Sequence, residues 1–341
     1  MKKTLIATAI AAISFSGAAA AQSTISAAEM AAKMDSMPSV YGNIQYAITN
    51  TSIDNAGSEI NHFDNGTTLG VSHDHMIAPG LTGFFKLELE GINADDKAGS
   101  AGIDKLDEAY IGVKSDSFGQ VWVGTDDSTY ERAIAKIANT HEIGTGLDGS
   151  YSTGEGDQIQ YSSPSFGGLT LGASLQINGD GKTGGKSYPY QLAAIYTVDA
   201  LELAFAMDSN DGALKYSDDT VLDPNNENSY GLRATYSMGD LSLTGEYQTR
   251  KDVKDEFGVI GAYALGANQF SLAYQIVEDD APGASNGNKE DVIALQALHN
   301  LSDNMYVYAE GFFYSNDADY DKAVAGSDNK QVAAVGAVYY F

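Results

Sequence analysis

From Val40 to the end, segment after segment of this chain alternates apolar and polar residues with a period of two. No stretch strings together the roughly 20 apolar residues that a membrane-spanning helix needs. In LTGFFKLELEG, Leu81, Gly83, Phe85, Leu87 and Leu89 share one face, while Thr82, Phe84, Lys86, Glu88 and Glu90 share the other. GLTLGASLQIN, ALELAFAMDS and GDLSLTGEYQ repeat the pattern. A strand with one apolar face must bury that face or turn it to lipid, so the sequence points to an all-β fold.

The connections narrow the choice further. Short turns are expected at Pro79-Gly80, Ser115–Ser117, Ser165–Gly167, Asp199-Ala200, Gly239-Asp240, Leu265–Asn268 and Asn300–Asp303. Between them lie long polar stretches: about a dozen residues after Val40–Thr49, then Ile92–Asp104, NGDGKTGGKS, NDGALKYSDDTVLDPNNEN, EDDAPGASNGN and SNDADYDKAVAGSDN. Long and short alternate along about sixteen strands of around ten residues each, the length a tilted strand needs to cross a bilayer. A soluble β-sandwich also alternates, but it has no reason to sort its loops by length. The expectation is a 16-stranded antiparallel transmembrane β-barrel with short periplasmic turns and long extracellular loops.

The N-terminus fits that location. Lys2 and Lys3, an apolar run from Leu5 to about Phe15 and the small triplet Ala19, Ala20, Ala21 read as a signal peptide over residues 1–21, leaving 22–341 as the barrel domain. The apolar run is too short to anchor the chain as a helix. With no cysteine, neither a disulfide framework nor lipid attachment at the cleavage site is available. The net charge of −27 argues against nucleic-acid partners. No cofactor motif is present.

The chain ends VAAVGAVYYF, a strand with Ala333, Val335, Ala337, Tyr339 and Phe341 on one face. In a closed barrel the last strand pairs with the first, so Tyr339 and Phe341 are expected to take part in closing the wall, with their rings at head-group level.

Together the opening strand SVYGNIQYAI, the YSSPSFGGLTLGA hairpin at Tyr161–Ala173 and the terminal VYYF resemble the trimeric general-diffusion porins of Gram-negative outer membranes. The resemblance covers nearly the whole mature chain. It implies a homotrimer of water-filled pores in the outer membrane, set among lipid and lipopolysaccharide, passing small hydrophilic solutes and ions. It also implies that each pore is narrowed by an inward-folded third loop.

That loop is Thr125–Gly156. Ser128 and Glu131 fit a capping box, and TYERAIAKIAN after it is expected to be a short helix with Tyr130, Ile134 and Ile137 on one side. Asp126, Asp127, Glu131, Glu142 and Asp148 are the acids it can present to the lumen, with Arg132 among them. Strand parity places Lys86 and Arg233 inward near mid-height, Lys114 and Arg250 nearer the rims, and Glu88, Glu108, Glu202 and Glu246 inward as well. Porins of this family usually set a basic cluster opposite the acidic loop. Here only Arg132, Arg233 and Arg250 supply arginine, so the cluster is thin and the pore is expected to prefer cations.

Two motifs invite other readings. His73-Asp74-His75 offers ligand types but reads as rim residues beside a short turn, so no metal centre is assigned. Asp317, Asp319, Asp321 and Asp328 imitate calcium-loop spacing, yet Lys322 stands where the glycine belongs. None of the five histidines sits in a nucleophile motif, which argues against a barrel enzyme. A substrate-specific channel, for sugars or another small solute, is the alternative if Phe84, Tyr110 and Trp122 face inward.

Overall fold

The computed structural model of the chain describes residues 37–341 except 101, 104, 145, 148, 150, 178–187, 212–226 and 284–285. The leader assigned to residues 1–21 and the loop acid Asp148 lie outside the described residues.

The strands follow one another as β1 (Ser39–Ile53), β2 (Gly57–Asp64), β3 (Leu69–Ala78), β4 (Leu81–Glu90), β5 (Lys105–Ser115) and β6 (Gly119–Thr125). After a one-turn helix α1 (Thr129–Ala133) come β7 (Gln158–Ser162), β8 (Leu169–Gln176), β9 (Tyr190–Val198), β10 (Leu201–Asp208) and β11 (Ser229–Met238). The series ends with β12 (Leu241–Arg250), β13 (Lys254–Leu265), β14 (Asn268–Asp279), β15 (Lys289–Ser302), β16 (Met305–Asn316) and β17 (Asn329–Tyr340). Neighbouring wall strands pair antiparallel, and β1 pairs with β17 from Asn43↔Tyr340 to Ile53↔Lys330, which closes the barrel. The upper half of β1 pairs with β2 and its lower half with β3, so β2 and β3 fill one wall position and the barrel has sixteen.

The polar stretch after Thr49 is therefore not a loop. β1 and β2 form a hairpin around residues 54–56. Every residue of β2 from Gly57 to His62 is exposed, which is why its sequence lacks alternation although its backbone is paired. Between β2 and β3 the ladder is irregular at Asn65–Thr68, where the backbone bonds Asn43 N–H to Thr68 O (3.1 Å) and Asn65 N–H to Gln45 O (3.3 Å) are supplemented by side chains: Gln45 N–H donates to Thr67 Oγ1 (3.1 Å) and Asn43 Nδ2 to Thr68 Oγ1 (3.0 Å). The last short turn also differs, because β15 runs past Asn300 through an irregularity at Asn300–Ser302 before turning toward Met305. At two of the tight turns Gly239 (φ 62°) and Gly266 (φ 59°) take the left-handed backbone that hairpins of this length require.

Parity sorts the side chains as the sequence indicates. Leu87, Leu171, Leu203 and Leu243 lie on the outer surface, and Leu171 is 42% exposed whereas Gln176, on the inner face, is 1% exposed. Val335, Tyr339 and Phe341 face outward too. Outward tyrosines and phenylalanines form two belts over β9–β14: Tyr196, Tyr236, Tyr263 and Phe270 toward the short turns, Tyr190, Tyr230, Tyr247 and Phe257 toward the long loops.

Candidate functional site: the folded-in third loop and its channel

The segment between β6 and β7 lies inside the barrel, and two apolar clusters hold it to the inner wall. Tyr130, Ala133 and Ile134 pack on Ala193, Ala204 and Ala206 of β9 and β10. Ile137 and Leu147 pack on Ile260, Ala273, Val292, Phe312 and Val332 of β13 to β17. The apolar stripe read from the sequence is thus buried, although the helix is shorter than expected and spans only Thr129–Ala133. Ser128 caps it, its Oγ accepting the Glu131 N–H at 3.1 Å; the Glu131 carboxylate turns instead to Asn139 Nδ2 at 2.9 Å.

Polar latches complete the docking. Glu246 Oε1 accepts the N–H groups of Lys136 (2.9 Å) and Ile137 (3.0 Å). Glu310 accepts those of Glu142 (2.7 Å) and Ile143 (3.1 Å), and Asp208 those of Ser152 (3.3 Å) and Thr153 (2.9 Å). At the end of the helix Arg233 Nε donates to Ala133 O at 2.8 Å. A loop away from regular structure carries unpaired amides, and the inner wall answers them with carboxylates.

These contacts reassign several residues expected at the constriction. Arg233 is buried beneath the loop and ion-paired with Glu202 at 2.6 Å, so it supports the loop rather than lining the channel. Glu142 is half-buried at the far end of the loop, where Tyr306 donates to it at 2.9 Å, and its burial pushes its carboxyl above the usual range. Asp126 is 8% exposed and held by Trp122 Nε1 (2.7 Å) and Arg132 (2.8 Å). It is a neutralised structural group, not a free lumen charge. Sequence shows which acids a loop carries but not that a tryptophan four residues earlier and an arginine six residues later will enclose one of them.

Lys86, Glu88 and Glu108 do meet on the wall. Lys86 pairs with Glu88 at 3.1 Å and with Glu108, while Tyr41 donates to Glu88 at 2.5 Å. On the loop side, Asp127, Glu131 and Glu155 bring carboxylate oxygens within 4.8 Å of one another, and among the described residues none has a cationic partner. Glu155 carries no signal of its own in the sequence, since it lies 24 residues along the loop from Glu131 and only the return of the chain joins them. Desolvation, and after it the charges of Glu131, Asp127, Asp107 and Glu108, push its carboxyl up to about 7.

On the short-turn side of α1 the lumen widens into a recess of about 660 Å³ lined by Tyr41, Phe84, Lys86, Tyr110, Lys114 and Trp122 among others. Phe84 and Tyr110 therefore face inward as expected. Three rings there already carry protein cations: Lys86 over Tyr41 (5.9 Å), Lys114 over Phe84 (5.4 Å) and Arg132 over Trp122 (5.1 Å). Trp122 is only 5% exposed. The aspartates of the last long loop accept its own amides: Asp319 those of Gly326 (2.8 Å) and Ser327 (2.9 Å), and Asp321 that of Ala323 (2.9 Å).

A closed sixteen-position barrel with a loop folded into its lumen restricts the comparison to few protein types, and the sequence profile of Gram-negative porins matches residues 7–339. The chain belongs to the Gram-negative porin family. A monosaccharide porin from a Halomonas species is 31% identical, the match covering 95% of this chain and 98% of that one. The major outer membrane protein of Halomonas elongata is similar to the same extent. Among solved structures, an anion-selective porin from Comamonas acidovorans shares the fold with a TM-score of 0.70 at 18% identity, over 89% of this chain and 99% of that one. Salmonella typhi OmpF in complex with daunomycin has a TM-score of 0.71 at 15% identity, over 90% and 98%. This porin is accordingly an outer-membrane channel that crosses the bilayer many times with strands.

Proposed function

We propose that the porin is a water-filled channel for passive diffusion of small hydrophilic solutes and ions, with a preference for cations. The observation that carries this is the asymmetry of pairing at the constriction. Lys86, Lys114, Arg132 and Arg233 are matched by carboxylates, and Lys136 is the loop cation that has no ion pair among the described residues; against it Asp127, Glu131 and Glu155 stand together with no ion-paired cation, three acids to one base. Fixed negative charge in a narrow lumen concentrates cations. Zero-current potentials across a KCl gradient test it: the potential should have the sign of a potassium-preferring pore and move toward anions in Asp127→Asn/Glu131→Gln. A chloride-preferring wild type would overturn the reading.

A channel specific for a sugar is the second reading. The relative named a monosaccharide porin and the aromatic-lined recess favour it, but the rings at Phe84 and Trp122 are occupied by Lys114 and Arg132 and offer a sugar little free face. Liposome swelling with sugars of matched size separates the two, since diffusion follows size and a specific channel does not.

The same proposal includes export by the leader at residues 1–21, no catalytic activity, and assembly as a homotrimer in lipid and lipopolysaccharide. The outer wall supports the trimer: between the outward rings of Tyr46, Phe313 and Tyr339, β16, β17 and β1 carry the small or aliphatic side chains Val307, Ala309, Gly311, Ala333, Val335, Ala337, Ile44 and Ile48. Small side chains let two walls approach closely, which lipid head groups do not require.

A further inference from the structure

The geometry points to a metal-binding site on the outer wall: His73 and His75 of β3 form a dihistidine chelate for a borderline divalent ion such as Cu²⁺, Ni²⁺ or Zn²⁺. The two imidazoles lie on the same outward face, with ring centroids 6.1 Å apart and planes inclined by 28°. Neither ring has a hydrogen-bond or ionic partner among the described residues. Asp74 between them points inward and is paired with Lys114 at 2.7 Å, so it neither competes for the imidazoles nor supplies a third ligand.

Their height explains why they stay wet enough to bind an ion. His75 stands opposite Gly83, the third residue of β4. Tyr196, Tyr236 and Tyr263 stand at the same level, opposite Leu203, Leu243 and Phe270. His75 thus occupies a place where other strands set an interfacial tyrosine, at the edge of the periplasmic water. One ring edge of His73 is steadied by Phe85, 6.4 Å away between centroids. The register shift at Met76–Ala78 immediately follows, and such irregularities re-aim neighbouring side chains.

Imidazole suits all three ions, with metal–nitrogen distances of about 2.0–2.1 Å to zinc. A shared ion therefore needs the two nitrogens roughly 3 to 3.5 Å apart, which rings at this separation reach by rotating about χ2 with small changes in χ1. Two protein ligands leave the remaining positions to water, so the site is an exchangeable one rather than a closed structural centre. It lies on the outward face of β3 and is independent of ion selectivity.

The test uses the purified, detergent-solubilised full-length porin and Cu²⁺. Wild type should bind one ion per chain, and its electron paramagnetic resonance spectrum should show coupling to two imidazole nitrogens. His75→Asn should lose that coupling, and His73→Asn/His75→Asn should lose the binding, both with unchanged channel conductance as evidence of correct folding. His62→Asn and His299→Asn serve as controls, since both residues also lie on the outer surface. Retained binding in the double variant, or its loss in either control, overturns the proposal, as does binding that appears only at metal concentrations where the double variant binds equally.

Discussion

Removing the Glu310 latch should loosen one end of the third loop without unfolding the barrel. Glu310 is 5% exposed on β16, and its two oxygens accept the amides of Glu142 (2.7 Å) and Ile143 (3.1 Å) and the side-chain amide of Gln296 (2.7 Å). Hydrogen bonds to a charged group contribute about 1.5–3 kcal/mol each, so the two loop bonds hold the tip by roughly 3–6 kcal/mol. Glu310→Ala leaves both amides without that partner, and at about 1.4 kcal/mol per factor of ten the docked-to-undocked ratio of the tip falls by roughly 10²–10⁴. Glu310→Gln keeps one acceptor but presents an NH₂ to the second amide, so about half the loss is expected.

The rest of the loop stays attached through Glu246, Asp208 and the two apolar clusters, which confines the change to the neighbourhood of Glu142. Single-channel recordings in a planar bilayer should then show raised open-channel noise and brief partial closures for Glu310→Ala, a smaller effect for Glu310→Gln, and an undiminished yield of folded protein. Val335→Ala, on the outward face of β17 and away from the loop, is the control. Open-channel noise in Glu310→Ala equal to wild type would show that these hydrogen bonds do not hold the loop.

Three further outcomes follow from the same geometry. Because the Glu155 carboxyl is pushed up to about 7, it is neutral below that pH and charged above it, so cation preference should rise between pH 6 and pH 8 and Glu155→Gln should flatten the rise in zero-current potential. Leu171→Arg puts a charge against lipid at a cost of about 2–4 kcal/mol near the membrane midplane and should depress barrel yield, whereas Thr170→Arg, on the recess side, should be tolerated; equal yields would contradict the assigned faces. Gly42 exchanges backbone hydrogen bonds with Phe341 (3.2 and 3.0 Å), and a Cβ there would lie 2.7 Å from the Phe341 ring and 2.6 Å from Thr68 O, so Gly42→Val or deletion of Phe341 should lower the fraction of heat-resistant assembled protein.

The fold was legible because a membrane barrel imposes one rule on every strand, and residue pairs such as Thr170 and Leu171 obey it locally. The hairpin of β1 and β2 escapes the rule because β2 is exposed on both faces, so nothing forces alternation there. The site was less legible, for a different reason. Lys86, Glu88 and Glu108 can be placed together because they lie on adjacent strands that share one inward face. The enclosure of Asp126 by Trp122 and Arg132, and the meeting of Glu155 with Glu131, depend on how a long loop folds back on itself. Hydrophobic periodicity carries no information about that path.

The distribution of acids, rather than their number, decides what the channel does with charge. Asp208, Glu246 and Glu310 are spent on loop amides, Glu88 and Glu108 on Lys86, and Asp126 on Arg132. The aspartates of the last long loop accept backbone amides above the barrel, and charges more than a Debye length of about 10 Å from a passing ion are largely screened at ~0.1 M salt. Among the described residues, the loop acids without an ion-paired cation are Asp127, Glu131 and Glu155, and the charge of Asp107 on β5 acts on Glu155 as well. On the proposed reading selectivity is tied to these carboxylates, and substituting acids already engaged by loop amides, such as Glu246 and Glu310, should alter loop order before it alters selectivity.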